Sequence, residues 1–336
     1  MSIYSSALDV ATSSAAPSSL DTRESLIWEV QRGLLRRPRS LPPWMFYDAR
    51  GSRLFERITE LHEYYPTRTE RKILASCCDA IIAAACPDKQ EGVRLVELGA
   101  GTASKTIILL DAAARSQSEV LYVPVDVSSD ALDVACERIA ASSPEVCVSP
   151  IVENYVTNPP QLESFDGTTL GLYIGSSIGN FTPEEARTIL RNLRSQLQSR
   201  DALLLGVDMV KDEPTLVAAY DDRDGVTAEF NLNMLHRLNR ELGADFDLAR
   251  FRHRAVWNSA ESRIEMHLES TRHQCVRIAA ANCEVRFAEC ERIHTENSYK
   301  FTDDSIRVLL GETGFELEQT WTDKRGWFSV ALARTH

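Results

Sequence analysis

This chain of 336 residues predicts an α/β fold: a doubly wound, mostly parallel sheet joined to a second, discontinuous α+β lobe. Three observations carry that expectation. Strand-like and helix-like segments alternate from Val93 to Met209, the pattern of a parallel sheet covered by helices on both faces. A Gly-x-Gly turn sits at the first strand-to-helix junction. Residues 211–300 then break the alternation with a helix and extended segments that read as antiparallel.

The elements follow in order. Leu26, Ile27, Val30 and Leu34 recur at helical spacing, so Asp21 to Leu34 reads as a short helix. Pro42 and Pro43 punctuate the next stretch. Ser52 to Leu61 forms an amphipathic helix with Leu54, Phe55, Ile58 and Leu61 inward, and Tyr64-Tyr65-Pro66 is expected to end it, because proline disfavours helical geometry in its predecessor. A longer helix runs from Thr69 to about Ala85. RLVEL is a buried strand, Gly99 to Gly101 a turn, and Ser104 to Ala114 a helix. VLYVPVDV is the second strand, followed by a helix over residues 130–141. Val146 to Val152 is a third strand, LGLYIGSS a fourth and ALLLGVDM a fifth, with a helix from Pro183 to Gln198 before the last. Val226 to Leu242 is helical, and RAVWNSAESRIEMHLES and HQCVRIAA are extended. Asp303 to Glu312 is a helix with Gly314 as its C-cap. FELEQTWTD and GWFSVALA then form a hairpin around Lys324 to Gly326. Such a hairpin after five alternating units is how class I methyltransferase sheets finish. The expected division is a tail over residues 1–21, a substrate lobe from 22–68 with 211–300, and a cofactor domain from 69–210 with 301–336.

Composition excludes several functions. Against 37 Lys and Arg stand 49 Asp and Glu, a net charge of −12. That argues against a protein built to grip nucleic-acid phosphates or an anionic membrane. The longest apolar run, Ala80 to Cys86, is far short of the ~20 residues of a membrane helix. Eight cysteines with no CxxC pair are too dilute for a disulfide scaffold, and most are expected to be small buried hydrophobes. The Ser- and Ala-rich start lacks the basic and apolar regions of a signal peptide, so a disordered tail on a cytoplasmic protein is expected. No apolar stripe announces a partner, and a monomer is expected.

The sharpest motif is ELGAGTASKT, residues 97–106. Gly99 and Gly101 allow a sharp turn and close approach of backbone to a ligand, ahead of the free N–H groups of a helix start. The dinucleotide fingerprint GxGxxG is the competitor, but Ser104 stands at its third glycine. Glu97 suits a bound cation better than a pyrophosphate. Asp126, at the tip of the second strand, can accept both ribose hydroxyls, a position that serves NAD enzymes and methyltransferases alike. Asn154 and Tyr155, after the third strand, can read and stack on an adenine.

Taken with LPPWMFYDARGSRLFERITELHEYYPTRTE, PVDVS, IGSSIGNF, RIEMHL and IHTENSYKF, these motifs resemble the S-adenosylmethionine-dependent L-histidine Nα-methyltransferases. That family forms the betaine hercynine for ergothioneine biosynthesis. The resemblance covers nearly all of residues 22–336. It implies cofactor contacts at Gly99, Lys105, Asp126, Asn154 and Tyr155, with an amide at Asn154 where the family usually has an acid. It implies that Tyr64, Asn180 and Tyr220 hold the amino-acid end of the substrate and that Glu296 and Ser298 hold the imidazole. Tyr47, Gly175 and Met266 would line the same pocket. Asn297 stands where the family often has a small apolar residue.

The chemistry is consistent with those residue types. Methyl transfer to an amine is an in-line displacement, and orientation effects can supply up to ~7–11 kcal/mol. An α-amine titrates near ~8, so the site must favour its neutral form. Tyr47 and Tyr64 are the catalytic candidates beside the amine, where ring faces suit a growing cation. Residues 296 and 298 of a strand share a face, so Glu296 can accept an imidazole N–H while Ser298 meets the other nitrogen. Metal ligation is not expected, and His267 and His294 read as structural. The competing readings are a sister methyltransferase acting on tryptophan or tyrosine, an NAD-dependent oxidoreductase, and a non-catalytic module on the same fold. A bulky indole would clash with Met266 and leave Glu296 without a partner.

Overall fold

The computed structural model describes residues 22–336. The predicted tail, residues 1–21, lies outside the described residues. In chain order the elements are α1 (Thr22–Leu34), β1 (Arg39–Ser40), α2 (Ala49–Glu60), α3 (Tyr65–Ala85), β2 (Gly92–Leu98), α4 (Ile107–Ser116), β3 (Val120–Asp126), α5 (Ser129–Ser142), β4 (Cys147–Val148), β5 (Ile151–Val152) and β6 (Gly167–Tyr173). Then follow α6 (Pro183–Arg194), β7 (Ala202–Asp208), α7 (Glu213–Tyr220), α8 (Val226–Leu242), β8 (Phe251–Asn258), β9 (Arg263–Ser270), β10 (Gln274–Ile278), β11 (Cys283–Phe287), β12 (Arg292–Tyr299), α9 (Asp303–Glu312), β13 (Phe315–Thr322) and β14 (Phe328–Thr335).

The large sheet has the order β13-β14-β7-β6-β2-β3-β4, with β5 also paired to β3. The strands from β4 to β7 are parallel, and β14 enters antiparallel between β7 and β13. β7 is buried along its whole length, as expected of a strand covered on both faces. Alternation divides its side chains between two cores. Leu95 and Leu204 meet Ile81, Leu109 and Ile139 of α3, α4 and α5 on one face. Val96, Leu203 and Leu205 meet Ile189 and Leu193 of α6 and Ile306 of α9 on the other.

A third core collects Leu26, Phe46, Tyr65, Phe230, Met234, Ile264 and Ile293. It packs α1, α2, α7 and α8 against a four-stranded sheet of order β1-β12-β9-β8 and the β10–β11 hairpin. Local chemistry fixes the helix ends. Asp48 accepts from Gly51 N at 2.7 Å to start α2, and Thr182 with Glu185 forms a capping box on α6.

The structure corrects several sequence expectations. The third strand is two short pieces, because Pro150 has no N–H to continue the ladder and parts β4 from β5. Pro66 does not end a helix. It occupies the first turn of α3, where its missing N–H costs nothing, and α2 has already stopped at Glu60. α3 therefore crosses the expected boundary at residue 68, with Tyr65 in one core and Ile73 in the other. Helix α7 was not expected; its hydrophobic residues, Leu216, Val217, Ala218 and Ala219, run together without a helical period. Only Cys86 of the eight cysteines is buried, and Cys147, Cys275 and Cys290 are exposed, contrary to the expectation of buried hydrophobes. No helix among the described residues is long and apolar enough to cross a membrane.

Candidate active site

The carboxyl ends of β2, β3 and β6 open onto one crevice, the position where open α/β sheets bind ligands. Gly99 follows β2 with φ +67°, and a Cβ there would stand 2.8 Å from the Tyr155 hydroxyl. Gly101, with φ +52°, has open space where a Cβ would be. Its N–H donates to Asp126 Oδ2 at 3.0 Å, and Ser128 N donates to Oδ1 at 3.0 Å, so the turn and the acid at the tip of β3 are locked together. Tyr155 packs edge-on against Tyr173 at 6.0 Å. Asn154 closes an Asx turn, its Oδ1 accepting from Val156 N at 3.2 Å. A left-handed glycine turn with open space beside it, next to an anchored carboxylate and a ring, fits a nucleoside cofactor.

Glu97 is tied into the fold through one of its two carboxylate oxygens. It is only 3% exposed, beneath the turn, where Thr106 Oγ1 donates to it at 2.7 Å and the Tyr122 hydroxyl donates to the same oxygen. Burial pushes its pKa up to about 7 against those two donors. Through Oε2 it holds the turn to β3, while no donor among the described residues reaches Oε1. Lys105 bonds Glu70 of α3, a fully buried carboxylate that the sequence reading missed. Glu70 Oε1 also accepts from Gly175 N at 2.7 Å. One acid thus ties the glycine-turn segment to the end of β6. There Gly175 and Ser176 both take positive φ, and a short 3-10 turn carries Asn180.

The facing wall belongs to the second lobe. Tyr64 caps α3 and meets Tyr220 edge-on at 6.0 Å. Tyr47 packs edge-on against Phe55 and Phe230 and is 44% exposed. Its phenol is pushed well above its ordinary pKa, first by partial desolvation in the cleft and then by Glu296, Tyr64, Tyr155 and Asp126, groups drawn from both walls. On β12 the register against β9 shifts between His294 and Glu296, leaving Thr295 as a bulge. Bulges re-aim side chains. Beyond this one Glu296, Ser298 and Lys300 are buried, and Asn297 turns the other way to bond His294 Nε2 at 2.8 Å. Met266 lies opposite Glu296 in the register and is buried.

Ser298 Oγ and the Tyr220 hydroxyl are 2.7 Å apart. Lys300 Nζ donates to both, at 2.7 and 2.9 Å, and pairs with Asp208 Oδ2 at 2.9 Å. Asp208 also accepts from Tyr65 and Lys211. Sequence reasoning missed Lys300, although positions 296, 298 and 300 share a strand face. Glu296 differs from its neighbours. It is 7% exposed, and among the described residues no donor reaches its carboxylate. Burial pushes its pKa up to about 8, and only the Lys300 charge opposes the rise.

The strand order, the antiparallel β14 and the glycine-turn crevice define a class I methyltransferase. Residues 26–335 match the family of histidine-specific, S-adenosylmethionine-dependent methyltransferases, and the chain belongs to that family. It is 45% identical to the histidine N-alpha-methyltransferase of Mycolicibacterium smegmatis over 310 residues, covering 92% of this chain and 95% of that protein. It is 42% identical to the Mycobacterium tuberculosis enzyme of the same name over 308 residues, 91% of this chain and 93% of that one. Ergothioneine biosynthesis protein 1 of Neurospora crassa is 30% identical over 291 residues, which is 85% of this chain but 32% of the fungal protein.

Proposed function

We propose that this enzyme transfers three methyl groups to the α-amine of free L-histidine, giving hercynine for ergothioneine biosynthesis. The observation that carries the substrate assignment is Glu296, a buried carboxylate without a donor, beside a hydroxyl pair on the same strand face. Burial without a donor disfavours the ionised carboxylate, and a ligand N–H offsets that penalty. The names of the mycobacterial relatives and of the Neurospora protein support the same substrate and the same biosynthetic setting.

S-adenosylmethionine supplies an electrophilic methyl group when bound. Gly99, Gly101, Asp126, Asn154 and Tyr155 would hold its nucleoside, and Lys105 its amino-acid end. Tyr64 and Tyr220 of the facing wall, with Asn180 from the turn after β6, would fix the substrate's carboxylate and amine, and Glu296 and Ser298 its ring, with Gly175 and Met266 closing the pocket. Tyr47 and Tyr64 turn ring surface and hydroxyls toward the amine as it gains charge; both phenols sit well above their ordinary pKa and stay protonated. They align the amine and do not act as bases, so the amine's proton leaves to solvent before attack. The segments 22–68 and 211–300 serve as the substrate lobe. Each chain carries the whole set, so a monomer acting on a small molecule suffices.

Mass spectrometry of an amino-acid panel incubated with protein and S-adenosylmethionine tests this. Histidine should gain three methyl groups while tryptophan and tyrosine stay unmodified. Preferential methylation of another amino acid would sink the substrate assignment.

A further inference from the structure

Lys300 is fully buried at the far end of the face that carries Glu296 and Ser298. An ammonium has three donors and no acceptor. All three are spent, on Ser298 Oγ, the Tyr220 hydroxyl and Asp208 Oδ2. Ser298 and Tyr220 bond each other as well, at 2.7 Å. Of the two hydroxyl protons in this triangle, one is used inside it and one is left to point outward.

An ordinary phenol is a stronger acid than an aliphatic hydroxyl, and although burial and Asp208 raise the Tyr220 pKa, we take Tyr220 as the donor within the pair because Ser298 shares the Glu296 face and keeps its own O–H for the cleft. With Tyr220 donating to Ser298, the serine oxygen accepts twice, from the phenol and from the ammonium. Both of its lone pairs are then filled, and its one remaining valence is O–H. Toward the cleft, Ser298 can donate and cannot accept. Glu296 on the same face, once ionised, can accept and cannot donate. The Lys300 ammonium favours that ionised form.

We infer that Lys300 is a positioning residue that fixes hydrogen-bond polarity in the ring subsite, so that the site admits only a neutral heteroaromatic ring with one N–H and one bare nitrogen. This rests on the assignment of Glu296 and Ser298 to the imidazole given above. An imidazolium would set an N–H against the Ser298 O–H, and methylation of either ring nitrogen would remove a contact. Lys300 touches no substrate atom in this scheme; it acts through Ser298.

The test uses the full chain with S-adenosylhomocysteine and ring-15N-labelled L-histidine. In the wild-type complex, 15N NMR should show one protonated and one bare, hydrogen-bonded ring nitrogen from pH 6 to 8. A bound ring protonated at both nitrogens would overturn the inference, even if histidine is the true substrate. Failure of the wild-type protein to methylate histidine at all would instead remove the functional reading on which it rests. The Lys300→Met variant leaves Asp208 its bonds to Tyr65 and Lys211. It should raise KM for L-histidine at least tenfold at pH 7.5 while S-adenosylhomocysteine affinity stays within twofold. Its preference for histidine over β-(pyrrol-3-yl)alanine, which keeps an N–H and lacks the bare nitrogen, should fall to that of Ser298→Ala. A Lys300→Met protein with wild-type KM and undiminished preference refutes the role. If that variant does not fold, the wild-type NMR result decides alone.

Discussion

The unpaired carboxylate of Glu296 should make the protein less stable as pH rises, and Glu296→Gln should remove that loss. The carboxyl belongs near 4.5 in the unfolded chain and is pushed up to about 8 in the fold by burial. Between those values the folded protein keeps a proton that the unfolded chain has released. Stability therefore falls with rising pH across that window and is flat above it. A displacement of this size corresponds to roughly 5 kcal/mol against the charged form at full strength. The cleft admits water and Lys300 stands near, so about 1–3 kcal/mol is the expected net effect. Urea unfolding of wild type and Glu296→Gln at pH 5 and pH 8 measures it. The two should match at pH 5, and the variant should be more stable at pH 8, while its KM for histidine rises. Equal destabilisation of Glu296→Gln at both pH values would refute the reasoning, since it would mean that Glu296 holds the fold as an ion.

Three further outcomes follow from the same geometry. Glu70→Gln weakens the hold on Lys105 and Gly175 and should lower S-adenosylhomocysteine affinity by roughly tenfold, the scale of one charge-assisted bond, read by calorimetry. Gly206→Ala would put a Cβ 2.1 Å from Glu70 Oε1, so the carboxylate would have to swing off its bonds to Gly175 N and Lys105. It should cost about 1–3 kcal/mol in urea unfolding and weaken cofactor binding in parallel. Thr182→Ala removes the capping box of α6 and should cost about 0.5–2 kcal/mol in urea unfolding.

The sheet was legible because its signals are local. Apolar runs of strand length, a glycine turn after the first and an acid at the tip of the second need no tertiary knowledge. The β4–β5 break was also written in the sequence, at Pro150, and reading Val146 to Val152 as one strand ignored the missing N–H. The site divides along the same line. Residues inside motifs at strand ends, such as Gly99, Asp126 and Glu296, were visible. Glu70 and Asp208 were not, because a carboxylate in mid-helix or at the end of an apolar strand acquires its meaning only from the lysine that folding brings to it. Glu97 was legible only in part. Its place before the glycines suggested a ligand, and the Tyr122 and Thr106 hydroxyls, one of them 25 residues further along, add a structural task at Oε2 that no local pattern announces.

How the two walls keep their distance can be argued from β12 alone. The strand runs through the second-lobe sheet and then leaves it, and Phe301, just past its end, bridges to Met209 beyond β7. On the way, Tyr299 passes so close to Gly179 that a Cβ there would lie 2.7 Å from the Tyr299 carbonyl. Lys300, between them, is pinned to Asp208 at the end of β7. One short strand thus carries Glu296 and Ser298 and is fastened to the cofactor sheet within four residues of them. A reaction whose catalysis rests on alignment needs such a link, because a displacement of about 1 Å between ring subsite and methyl donor can cost ~100-fold in rate. The bulge at Thr295 places the only change of register upstream of both groups. Its hydroxyl, donating to Met266 O at 3.0 Å, holds that change in place, so the aim of Glu296 and Ser298 is set on one side by the bulge and on the other by the sheet.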